Sequence, residues 1–76
     1  PNPARDRIVL HVQSSTASAQ TLRVYDSKGV AVISKTLVLL PGVNQVEVHV
    51  SNVPPGAYVV VVTGSDGSKA KAFVKR

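Results

Sequence analysis

The chain has 76 residues, 43% hydrophobic and 17% charged, with no cysteine and a formal net charge of +5 at pH 7. A chain this short makes one domain spanning residues 1–76, buries only roughly 60% of its unfolded surface, and is expected to be stable by about 3–5 kcal/mol. The lack of cysteine excludes a disulfide framework and a thiolate metal site. The longest aliphatic run, Val59 to Val62, falls far short of the roughly 18–20 residues that cross a bilayer, so direct membrane insertion is not expected.

The first strand signal is "RIVLHV", with Ile8, Leu10 and Val12 on one face and Arg7, Val9 and His11 on the other. "TLRVYD" repeats the pattern with Leu22 and Val24 against Thr21, Arg23 and Tyr25. Asp26-Ser27-Lys28-Gly29 then offers Asp at the first turn position and Gly at the last, the chemistry of a type I turn with a following bulge. The long run from Val30 to Leu40 is expected to break into two strands, and Pro41-Gly42 suits a type II turn.

"VNQVEVHV" is the clearest alternation, Val46, Val48 and Val50 against Gln45, Glu47 and His49. "AYVVVVT" is apolar on both faces and is expected to lie centrally, covered on both sides. Ser65-Asp66-Gly67-Ser68 reads as the hairpin joining it to a terminal strand. No segment keeps apolar residues at helical spacing. The expected fold is all-β, an immunoglobulin-like antiparallel β-sandwich of about seven short strands. "VPPGAYVVVV" places Tyr58 where a tyrosine corner would sit, its hydroxyl bonded to upstream backbone; a simple core aromatic explains it equally well.

Catalysis and metal binding find little support. No Gly-x-Ser-x-Gly elbow occurs, and His11 and His49 fall on polar strand faces. Two histidines without carboxylates at a recognised spacing do not make a three- or four-ligand metal site, and Asp26 and Asp66 are explained by turn chemistry. Gly64 to Gly67 matches the Gly-x-x-Gly loop of a KH module only formally, because strands flank it. The sequence pI near 10.1 attracts anionic partners. Nucleic acid is not among those expected, since only Tyr25, Tyr58 and Phe73 are available to stack on bases. No enzyme activity and no cofactor is expected.

The closing "KAKAFVKR" is the unusual stretch. Strict alternation puts Ala70, Ala72 and Val74 on one face and Lys69, Lys71, Phe73 and Lys75 on the other, which leaves a large aromatic among cations. Either a bulge turns Phe73 inward, or Phe73 belongs to a surface that a partner covers. Edge lysines that discourage sheet pairing account for the cations but not for Phe73.

The ordered set "PNPARDRIVL", "YDSKGVAV", "LPGVNQVEV", "VPPGAYVVVV" and "KAFVKR" resembles the type A C-terminal sorting domain of the type IX secretion system. The resemblance spans the chain. It rests on Pro1, Asn2 and Pro3 at the opening, Tyr25, Asp26 and Gly29 in a Tyr-Asp-x-x-Gly turn, and Gly42 and Asn44 before a strand. Gly56 and Tyr58 open the penultimate strand, and a basic and apolar strand closes the chain. Alanines separate Lys69, Lys71 and Phe73, where the family often has consecutive lysines.

The resemblance implies delivery of a cargo from the periplasm to an outer-membrane translocon and its shuttle components. It also implies removal by a cell-surface sortase at a junction upstream of Pro1, with the cargo released or joined to anionic lipopolysaccharide. Lys71, Phe73, Val74 and Lys75 match the family's closing strand, and with Arg76 they are the tail expected to be recognised. The start at Pro1, without a signal-peptide pattern, fits a piece of a longer secreted protein. The competing reading is a fibronectin-like adhesive or carbohydrate-binding module, for which Tyr25 and Phe73 would have to supply the stacking platform.

Overall fold

The computed structural model describes residues 6–64 and 67–76. They form β1 (Arg7–Ser14), β2 (Ser18–Tyr25), β3 (Ala31–Leu39), β4 (Gly42–His49), β5 (Gly56–Gly64) and β6 (Gly67–Lys75). β1 and β4 pair as one sheet, and β3-β2-β5-β6 form the other, every ladder antiparallel. In immunoglobulin terms β1 and β4 take the places of strands B and E, and the larger sheet is C′-C-F-G. The expected all-β sandwich is therefore present, with six strands among the described residues. The run from Val30 to Leu40 does not break: β3 crosses it as one strand, because nothing in it stops the β2 ladder until Leu39.

Alternation decides which side chains enter the core. β1 contributes Ile8, Leu10 and Val12, β4 contributes Val46 and Val48, and Val50 is sealed just past the strand end. Leu22 and Val24 of β2, Leu37 and Leu39 of β3, and Tyr58, Val60 and Val62 of β5 meet them from the larger sheet. β5 is central in its sheet but covered on one face only. Val59 is 39% exposed, Ala57 is exposed and Val61 half-buried. The described residues form two layers, and the second face of β5 is turned away from the other layer.

The Asp26–Gly29 turn behaves as its residues dictate. The Gly29 amide donates to the Asp26 carbonyl (3.0 Å), while the Asp26 carboxylate accepts from the amides of Lys28 (2.9 Å) and Val30 (3.0 Å). Gly29 sits at φ +83 and Gly42 at φ +103, where a Cβ would clash with its own backbone, and the β2 ladder shifts register between Val24 and Tyr25. Pro1, Asn2 and Pro3, and the Ser65 and Asp66 positions of the last hairpin, lie outside the described residues.

Candidate functional site

The terminal strand β6 pairs with β5 in unbroken register from Gly56 opposite Lys75 to Gly64 opposite Gly67. No bulge is needed to bring Phe73 inward. Tyr58, Val60 and Val62 face the core, so their ladder partners Phe73, Lys71 and Lys69 are on the inner face too. The lysine face of β6 is thus the interior face of the sheet. Its Phe73 end is covered by the core, and its Lys69 end opens at the rim.

At the covered end, two sequence motifs meet. Gly56-x-Tyr58 lies across from Phe73-x-Lys75, and the rings of Tyr58 and Phe73 stack with centroids 5.5 Å apart and planes 20° from parallel. The Tyr58 hydroxyl donates to the Pro54 carbonyl, four residues upstream, which makes this a tyrosine corner at the start of the F-equivalent strand. The Lys75 ammonium donates to the carbonyls of Ser51 (3.1 Å) and Val53. Tyr58 of β5 and Lys75 of β6 therefore both hold the same β4–β5 connection. Val53 is buried within it.

The five tail residues divide sharply by exposure. Phe73 (4%) and Lys75 (8%) are buried, whereas Val74 is 43% exposed and Lys71 and Arg76 are exposed. In the folded module Lys71, Val74 and Arg76 are the accessible members of this set, and Phe73 and Lys75 are not. The role of Lys75 has one trace in the sequence, since it shares a face with Phe73. A lysine is almost never buried without partners, so that trace is easily overlooked.

Asn44 occupies a different corner. Its side-chain amide donates to the carbonyls of Leu40 (2.8 Å), Gly42 (3.3 Å) and Val12 (3.2 Å), while its carbonyl oxygen accepts from the Leu40 amide (2.9 Å). It closes the β3–β4 crossing between sheets and ties it to β1. Gly29, Gly42 and Asn44 are thus all engaged in shaping turns.

The outer face of the small sheet carries an ion cluster. The Arg7 guanidinium lies 3.4 Å and the His49 Nε2 3.2 Å from the two Glu47 carboxylate oxygens, with Arg7 and His49 well exposed and Glu47 partly so. Such pairs contribute little to stability. Among the described residues no group of three or more His, Asp or Glu could hold a metal ion.

These features define an immunoglobulin-like β-sandwich module whose C-terminal strand is locked into the core while alternate residues of that strand face outward. The family model described as a secretion system C-terminal sorting domain matches residues 1–76, the whole chain. The chain belongs to this family, the type IX secretion C-terminal sorting domains. Membership implies that the protein bearing it is exported to the cell surface or secreted, and that the module engages the secretion machinery. No curated protein matches the chain.

Proposed function

We propose that this chain is the C-terminal module of a longer exported protein and acts as its sorting signal. It would be presented from the periplasm to the outer-membrane translocon and its shuttle components, then removed by a cell-surface sortase acting upstream of Pro1. The cargo is then released or joined to anionic lipopolysaccharide, and the module itself catalyses nothing. The observation that carries this reading is the family match over the full length of the chain. The geometry supports a particular form of it, in which the folded terminal strand is read. Lys71, Val74 and Arg76 make the contacts, while Phe73 and Lys75, with Tyr58 and Gly56, hold the strand in place.

A carbohydrate-binding role loses its platform, because Phe73 and Tyr58 are buried and Tyr25 is half-buried. The sorting reading is tested with a fluorescent reporter carrying a periplasmic signal and this module at its C-terminus, expressed in a bacterium with a working type IX system. Export to the surface or medium is expected. Retention of the reporter inside the cell, with the module shown to be folded, overturns the proposal. A version with Lys71→Gln, Val74→Ser and Arg76→Gln should fold and remain periplasmic; normal export of that version would remove the exposed tail residues from the signal.

A further inference from the structure

The two layers of the sandwich are unequal. Among the described residues β1 pairs only with β4 and no strand pairs with its second edge, while four strands stand opposite. Beside that edge the layers part to leave a cleft of about 70 Å³, floored by Leu10, Val12, Val60 and Val62 and rimmed by Lys69 and Lys71. A second hollow of about 100 Å³ continues it past Val12 and Lys69 towards Gly67.

The two lysines are the informative feature. They sit in register with Val62 and Val60, on the interior side of the sheet, yet both are exposed. Neither has a carboxylate partner among the described residues. A strand added to the open edge of β1 would lie over the inner face of β6. Its inward side chains would repeat at about 6.6–6.8 Å, the spacing that also separates Lys69 from Lys71 on their own strand. Backbone pairing gives such additions affinity, and the alternate side chains give them specificity.

We infer that the β1 edge and the Lys69–Lys71 rim together form a docking site for an extended acidic segment of a partner protein. That segment adds a third strand to the small sheet and places carboxylates at positions i and i+2 against the two lysines. A second copy of the chain is a poor occupant, because its four acidic residues, Asp6, Asp26, Glu47 and Asp66, include no pair at that spacing. The site depends on charge and an open edge and does not require that the module sorts cargo.

The test uses the purified 76-residue chain, isotopically labelled and titrated with a ten-residue peptide that alternates glutamate with threonine and valine. The Glu peptide is expected to shift the amides of residues 10–13 and 69–71 and to slow hydrogen exchange along β1. Replacing its glutamates by glutamine, or making Lys69→Gln with Lys71→Gln in the chain, should weaken binding at least about tenfold. The double variant should keep its melting temperature. Equal affinity for the Glu and Gln peptides, an unaltered affinity in the double variant, or shifts confined to the outer face around Val59 and Ala72 would each overturn the inference. So would no binding at millimolar peptide, or binding of heparin in place of the peptide, which would assign the lysines to polyanions in general.

Discussion

Phe73 lies directly across the β5–β6 ladder from Tyr58, and their rings stack 5.5 Å apart. This pair joins the last strand to the strand before it at the point where the β4–β5 connection is also gathered in. Phe73 is 4% exposed. Truncating a buried Phe to Ala costs about 3–5 kcal/mol, as much as the whole stability expected of a chain this short. Phe73→Ala should therefore be unfolded by circular dichroism at room temperature. Phe73→Leu should fold but lose the ring pair, worth about 0.5–1.5 kcal/mol beyond its burial. A folded Phe73→Ala protein with a normal melting curve would show that β6 is not held by this contact.

The tyrosine corner separates from the stack by a single atom. Tyr58→Phe keeps the ring on Phe73 and removes the donor to the Pro54 carbonyl. A net loss of about 0.5–1.5 kcal/mol is expected. In a domain of this size that lowers the melting temperature by roughly 4–8 °C per kcal/mol. Urea titration read by near-ultraviolet circular dichroism would detect it, and an unshifted midpoint would make Tyr58 a packing residue alone.

Much of this architecture is legible in the residues. Alternation in β1, β2 and β4 assigns Ile8, Leu22, Val48 and their neighbours to the core, because two-residue periodicity leaves each strand only one buried face. The terminal strand is harder. Alternation sorts β6 into a lysine face and an alanine face, but it does not say which is interior, and the composition argues for the wrong one. Only pairing with β5 settles it, since Tyr58 and Val60 drag Phe73 and Lys71 inward with them. Lys75 was the least legible residue, because its burial depends on two carbonyls that lie 22 and 24 positions earlier.

Lys75 offers a contrast with Lys71, four residues earlier on the same face of β6. Lys75→Met keeps an unbranched apolar stem but removes both donors, leaving the carbonyls of Ser51 and Val53 without them. An unsatisfied buried polar group costs about 1–3 kcal/mol. Lys71→Met, at the open rim, should change stability by no more than about 0.5 kcal/mol. Paired denaturation curves decide the matter, and equal midpoints for the two variants would mean that Lys75 does not secure the connection.

Asn44 is tested in the same way at the other crossing. Asn44→Ala removes one acceptor for the Leu40 amide and the donors to Leu40, Gly42 and Val12. Much of this corner is exposed, so water replaces part of what is lost and a cost of about 1–2 kcal/mol is expected. Hydrogen exchange should quicken at the β3–β4 corner and at the adjoining end of β1. Faster exchange throughout the chain, with no local excess, would point to a general loss of stability instead.

The outer face of β5 tests whether the sandwich has two layers and no more. Val59 and Val60 are adjacent in sequence and identical in kind, but Val59 is 39% exposed and Val60 is 2% exposed. Val60→Lys places an ammonium in the core without a counter-ion, which costs several kcal/mol and should abolish folding. Val59→Lys sends its stem across Ala72 and Tyr25, its ladder neighbours on the outer face, and keeps its charge in water. It should fold with a change of no more than about 1 kcal/mol, the range expected for a surface site on a strand. If Val59→Lys unfolds the chain as Val60→Lys does, the outer face of the large sheet is covered in the folded molecule, and the second apolar side of β5 is part of a core.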